Sequence, residues 1–170
     1  MLSEEFFQQD AKELARALLG KKIVRKMPNG ELLSFTLSEA EAYLGEEDKA
    51  SHARFGKTTR NAPMFMQGGT IYVYFVYGMH YMLNIVSGKE GDPQAVLLRG
   101  ALEVEGPARL AKALHIDKSF SGKVLGEENL LWVEEGELKD RDFQIIEASR
   151  VGIGYAGDWK DKPLRFILKV

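Results

Sequence analysis

The chain has 170 residues, 45% of them hydrophobic, which suits one domain with a substantial core. It has no cysteine, excluding disulfides, thiolate chemistry and cysteine-held zinc or iron–sulfur centres. A formal charge of −2 argues against a protein that coats nucleic acid with its whole surface, although a phosphate-binding face needs only a local basic patch.

In chain order, Asp10 and Glu13 stand at the ends of a capping box, with Leu14, Ala17 and Leu18 as an apolar stripe and Gly20 as a stop. This predicts a helix of about three turns. "KKIVRK" and "ELLSFTLSEAEAY" flank Pro28-Asn29-Gly30, a turn between two strands. Alternation along the second strand places Leu33, Phe35 and Leu37 on the same face as Glu39, Glu41 and Tyr43. A polar loop from Gly45 to Asn61 leads to "IYVYFVYGMHYMLNIV", residues 71–86, two apolar strands joined through Tyr77-Gly78-Met79-His80. Turns normally expose Asn, Asp, Gly, Pro or Ser, so Tyr77 and Met79 make this tip unusually oily. "AVLLRGALEV", 95–104, is the next strand, and "ARLAKAL" has helical spacing with Pro107 near its start. Residues 143–150 read as a short helix, and the last twenty as turns and a closing strand. Strands precede, interleave with and follow helices without a βαβ rhythm, which predicts an α+β fold in a single domain, 1–170, with a mainly antiparallel sheet. No window approaches the roughly 18 uninterrupted apolar residues of a membrane-spanning helix, and the start lacks a secretory pattern, so a cytoplasmic location is expected.

Several positions can carry chemistry. Glu39, Glu41 and Tyr43 gather two carboxylates and a ring on one strand face, either a solvated acidic edge or a general base with its neighbours. His52 lies in "SHARFGKTTRNA", residues 51–62, which carries Arg54, Lys57 and Arg60 and no acid. A second basic stretch covers 107–123. Arg99 ends an apolar strand, where it either faces solvent or pairs with an acid. Tyr72 and Tyr74 share one face of the hairpin and, taken alone, read as half-buried core. Asn84 needs partners if it is buried. The three histidines, His52, His80 and His115, show no ligand spacing, and neither a metal nor a cofactor is expected.

Taken together and in order, "EAEAYLGEEDKASH", "RNAPMFM", "GTIYVYFVYGMHYMLN", "AVLLRGALE" and "VGIGYAGDWKDKPLRF" resemble the alkyladenine DNA glycosylases, the mammalian-type 3-methyladenine family, over nearly the whole chain. The resemblance implies a curved antiparallel sheet with flanking helices and a β-hairpin projecting into the minor groove. It also implies a monomeric, cofactor-free enzyme, nucleoid-associated when bound to duplex DNA containing damaged purines. Such an enzyme flips the purine nucleotide out, because stacking hides the bond to be cut. By the same resemblance, Glu41 is the general base that activates water and Arg99 helps to position that water. Tyr43 and Tyr74 stack on the flipped base, His52 shapes the pocket, and Asn84 crowds the exocyclic amino group of guanine. Tyr77 is the intercalating residue, Met79 and His80 flank it, and Arg60 of the basic loop joins the DNA-contacting set. Glu39 has a supporting role. His80 departs from the tyrosine of the mammalian enzymes, and "SEAEAY" varies their "ETEAY".

Two other readings stand beside this one. A non-catalytic module would bind distorted nucleic acid with the same hairpin and basic loops, and would retain damaged duplex without releasing free base. A nucleotide-processing enzyme would prefer a free nucleoside and leave Tyr77 unexplained.

Overall fold

The computed structural model of the chain describes residues 1–170. Asp10 caps the first helix, α1 (Ala11–Leu18), by accepting a hydrogen bond from the Glu13 amide at 3.1 Å. The helix has eight residues, shorter than the stripe suggested, because the chain is already extended at Leu19 and left-handed at Gly20, φ 82. Strand β1 (Lys22–Lys26) pairs with β2 (Leu32–Tyr43) through the expected turn, whose Gly30 amide donates to the Met27 carbonyl at 2.8 Å. The hairpin strands β3 (Ile71–Val76) and β4 (His80–Ser87) follow, then β5 (Gln94–Ala101), the short β6 (Val104–Glu105), helix α2 (Pro107–Ala113) and β7 (Leu131–Glu134).

Residues 143–150 are not helical. Gln144–Ala148 forms strand β8, antiparallel to the closing strand β9 (Arg165–Lys169). Ile145 packs against the core while Ile146 is 42% exposed, the alternation of an outermost strand in a run too short for a helical stripe.

All nine strands join one open antiparallel sheet of order β3-β4-β5-β2-β1-β7, with β9 also paired to β2 and β8 outside it. β2 is long enough to serve two partners on one side: its residues 32–36 pair with β1 and its residues 39–41 with β9. One sheet face, through Ile71, Val73, Leu83, Ile85, Val96 and Leu98, packs on Leu14 and Leu18 of α1, on Leu110 of α2 and on Leu114 just beyond it. This is the main core, in the α+β arrangement that the pattern predicted.

A second correction concerns β2. Glu39, Glu41 and Tyr43 do share a face, but not with Leu33, Phe35 and Leu37. Leu37 pairs with Ala101 and Glu39 with Gly100, yet Ala40 pairs with Leu98, so Ser38 on β2 and Arg99 on β5 are each passed over. Both strands change sides at this paired irregularity. Leu37 lies in the core before it and Ala40 and Ala42 after it; Ala101 does so on β5, and Val96 and Leu98 across the gap. Bulges re-aim side chains in this way, and here the effect is to turn Glu41 and Arg99 together onto the face away from the helices.

Candidate active site

That second face carries Tyr72 and Tyr74 from β3, Met82 and Asn84 from β4, Leu97 and Arg99 from β5, and Tyr43 from β2. With His52 and Met64 from the long loop and Val151, Ile153 and Tyr155 from the segment after β8, they enclose a cavity of about 250 Å³. Most of the lining is apolar or aromatic, with a few polar groups that converge, the usual construction of a small-molecule site.

Glu41 lies behind this wall, with no exposed surface. Its three closest partners line the cavity. The Arg99 Nη1 donates to Oε1 at 2.9 Å, the Val151 amide lies 3.4 Å from both oxygens, and the Tyr43 hydroxyl donates to Oε2 at 3.5 Å. Only the first is a firm hydrogen bond; the other two are at the long limit and leave the carboxylate free to accept more. Burial raises the Glu41 pKa, and Arg99, the Val151 amide and Arg150 work against that rise. The balance raises the carboxyl above its ordinary range while one strong cation holds it in place, an arrangement that a general base can use.

Two shells of charge support it. Arg99 also donates from Nε to Glu39 at 3.2 Å, and Glu39 accepts from Arg165 Nη1 at 3.0 Å. On the other side, Arg150 and Asp48 form a completely buried ion pair with contacts of 2.5 and 2.9 Å. Asp48 further accepts from the Leu44 and Ala50 amides, both at 3.0 Å, and Arg150 donates to the Ala42 carbonyl at 3.0 Å. The Arg150 guanidinium lies 4.8 Å from the centre of the Tyr43 ring. This pair therefore fixes the start of the loop, one face of Tyr43 and the residue preceding Val151.

The aromatic wall is interlocked. His52 Nδ1 shares a 2.9 Å hydrogen bond with the Tyr72 hydroxyl, and its ring meets that of Tyr74 at 4.4 Å between centres. Burial, then Arg60 and Arg54, lower the His52 pKa to about 4, while burial pushes Tyr72 up to about 12. His52 is neutral at neutral pH, and burial likewise keeps the Tyr43 and Tyr74 phenols protonated. Asn61 secures the loop by donating from Nδ2 to the carbonyls of His52 at 2.9 Å and Gly56 at 3.0 Å. Asn84, 3% exposed, donates to the Tyr72 and Met82 carbonyls, so its own carbonyl oxygen is the group a ligand would meet.

At the rim, the hairpin tip is bare. Tyr77 is 89% exposed and Met79 67%, and His80 is exposed as well. Tyr77 and Gly78 both take positive φ, 54 and 65, and the Met79 amide donates to the Val76 carbonyl at 3.2 Å. Asn or Gly is the usual choice for this geometry, and a tyrosine there stores on the order of 1 kcal/mol of strain. Arg60 is exposed beside the hairpin, 5.8 Å from the Tyr74 ring centre and donating to the Phe75 carbonyl at 3.4 Å. Of the two basic stretches, the first borders the cavity. The second wraps α2, and only Pro107 of it reaches the lining.

Of the site residues expected from the sequence, the fold lines one cavity with Tyr43, His52, Tyr74, Tyr77, Asn84 and Arg99; Glu41 sits behind its wall, Arg60 stands beside Tyr74 at the rim, and Met79 and His80 lie on the exposed hairpin tip outside the lining. Tyr72, read as half-buried core, is wholly buried and orients His52. Three participants had no sequence signal. Val151 acts through a backbone N–H, which no side-chain pattern reveals, and Asp48 and Arg150 are charges separated by a hundred residues.

A family model described as methylpurine-DNA glycosylase matches residues 5–106 and 103–170. The chain is 41% identical to a DNA-3-methyladenine glycosylase of Homo sapiens over 99% of this chain and 65% of that protein. It is 40% identical to a Mus musculus protein of the same name, over 99% and 59%. A Clostridium beijerinckii protein provisionally named 3-methyladenine DNA glycosylase is 40% identical over 99% of this chain and 96% of its own length. The chain spans less than two thirds of the length of the mammalian relatives.

Proposed function

The chain belongs to the methylpurine-DNA glycosylase family, and from that premise we propose that it excises methylated purines from duplex DNA by hydrolysing the bond between base and sugar. The observation that carries this reading is the buried carboxylate of Glu41, held at 2.9 Å by Arg99 directly behind an aromatic cavity.

The target nucleotide rotates out of the stack, at a cost of a few kcal/mol, and its base enters between Tyr43 and Tyr74. Tyr77 fills the space left behind and offsets part of that cost. A purine methylated on N3 or N7 is cationic, which weakens its bond to the sugar and favours stacking on electron-rich rings. As the base leaves, a sugar cation develops near Glu41, which stabilises it and accepts the proton of the attacking water. That water reaches the carboxylate by displacing the Tyr43 hydroxyl, the weakest of the three contacts. Arg99 orients both. Water, and not a lysine amine, is the nucleophile, so base release occurs without strand cleavage. Deaminated purines such as hypoxanthine are the second substrate class, slower because a neutral base leaves poorly without protonation. The enzyme acts as a monomer, in the cytoplasm with the nucleoid.

The test is single-turnover release of free base from duplex oligonucleotides carrying one 7-methylguanine or one hypoxanthine, with borohydride present in a parallel reaction. Release with an intact strand and no trapped covalent complex is expected. Tight binding of the damaged duplex with no free base would instead identify a recognition module.

A further inference from the structure

Arg99 is shared by two acids that the mechanism treats unequally. Its Nη1 holds Glu41 at 2.9 Å, and its Nε holds Glu39 at 3.2 Å. The same oxygen of Glu39 accepts from Arg165 Nη1 at 3.0 Å, and Arg165 Nε donates to the Ser149 carbonyl at 2.7 Å. Ser149 stands two residues before Val151, whose amide faces Glu41. The chain of contacts therefore crosses β9, β2 and β5, and it reaches both backers of Glu41: Arg99 through Glu39, and the Val151 segment through Ser149.

A guanidinium held at one nitrogen can pivot. Held at Nε as well as Nη1, it is fixed in its plane, because the fork has rigid geometry. Glu39 supplies that second point, and Arg165 keeps Glu39 from swinging toward solvent. Solvent does reach it: Glu39, Arg99 and Arg165 line a second open cavity of about 760 Å³, whose charged lining also includes Arg109 and Glu105. Glu39 is 24% exposed at its side chain, Arg165 25% and Arg99 16%, against 0% for Glu41.

We infer that Glu39, clamped by Arg165, is a positioning residue for the catalytic pair: it fixes Arg99 in the plane that points Nη1 at Glu41, and touches no substrate itself. Its effect on rate rests on the glycosylase reading above, whereas its effect on the ionisation of Glu41 does not.

A sign separates this from a simple effect of charge. The groups facing Glu41 are Glu39 and Tyr43 from β2, Arg99 from β5 and Arg150 from the segment after β8, with Arg165 of β9 behind Glu39. Through space, Glu39 raises the Glu41 pKa and Arg99 lowers it, Arg99 more strongly. If Glu39 acts only as a charge, removing it must shift Glu41 titration to lower pH. If it clamps Arg99, removing it frees the stronger influence, and the titration moves to higher pH.

The experiment compares wild type, Glu39→Ala and Glu39→Gln by two readouts. One is the Glu41 carboxyl ¹³C resonance against pH in the free protein, assigned by its loss in Glu41→Gln. The other is single-turnover base release from a 7-methylguanine duplex. In Glu39→Ala the Glu41 midpoint should rise, release should slow about tenfold or more, and binding of the damaged duplex should be unchanged. Glu39→Gln, which keeps an oxygen for Arg99 and Arg165, should release base near the wild-type rate with its midpoint unchanged or lower. A midpoint that falls in Glu39→Ala with an undiminished rate overturns the inference and leaves the glycosylase reading standing. A midpoint that rises while wild type releases no base does the reverse.

Discussion

The hairpin tip and the Glu41 site border the same cavity, yet they are built by opposite rules. Glu41, Asp48 and Arg150 are charges with no exposed side-chain surface, and each has protein partners in place before any ligand arrives. Tyr77 and Met79 are large apolar side chains left in water on a strained turn, with no partner in the protein. Charge is costly to bury and is therefore committed in advance; apolar surface is cheap to expose briefly and gains only when something covers it. In the proposed reaction, chemistry thus depends on parts fixed by folding, and recognition on a part that duplex DNA would complete.

The difference is easiest to break at the buried ion pair. Asp48→Ala strands the Arg150 guanidinium in the interior, at a cost of about 3–5 kcal/mol. Calorimetry should register a fall in melting temperature on the order of 10 °C. A fall of a degree or two would mean that the pair is solvated in solution.

Glu41→Gln preserves shape but cannot take a proton. The chemical step should slow roughly 10²-fold or more, with damaged-duplex affinity close to wild type. Equal single-turnover rates would remove Glu41 from its role.

On the exposed side the pattern should invert. Tyr77→Ala should weaken the damaged-duplex complex by about 1–3 kcal/mol, the range for loss of an aromatic stacked on a base, without lowering melting temperature. Tyr77→Gly should raise stability slightly, since glycine takes a φ of 54 without strain. A marked loss of stability in either would place the ring in a packed environment.

Acid should reach the enclosed side through His52. The His52 pKa is depressed to about 4 in the folded protein from an ordinary 6.5, so between these values the unfolded chain binds the extra proton. The stabilising contribution is whole above 6.5 and is lost as pH falls toward 4. Allowing for the ring's partial exposure, this amounts to on the order of 1–2 kcal/mol. Urea unfolding of His52→Gln, which lacks the titrating ring, should show a flatter dependence on pH in that window; identical slopes would contradict it.

Much of this was legible in the sequence because local chemistry announces itself. The Pro28-Asn29-Gly30 turn, the Asp10 cap, the alternating hairpin strands and the oily tip all follow from residues close together in the chain. The sequence of β8 reads as helix because "FQIIEASR" satisfies neither period over so short a span, and the decision rests with β9, which offers it a free edge. The change of sides in β2 was illegible for a related reason. Nothing in "LSEAEAY" marks Ser38 as unpaired; the irregularity exists only because Arg99, sixty residues later, is passed over as well. Likewise, residue type marks Glu41 and Arg99 as candidates, but the burial of Glu41 behind the cavity wall depends on Tyr43, Val151 and the loop anchored by Asp48.

The paired irregularity also sets which way the far half of β2 faces. If Ser38 were paired in strict alternation and not passed over, Glu41 and Tyr43 would turn toward the helices and Ala40 and Ala42 toward the cavity. No substitution elsewhere could repair such a register, because half a strand would be facing the wrong way. Deleting Ser38 and Arg99 together would remove the irregularity from both strands with every face kept, and would still discard the guanidinium. Between Leu37 and Ala40, therefore, the residue left unpaired matters more than its identity, and Ser38 should accept exchange far more readily than a change of pairing.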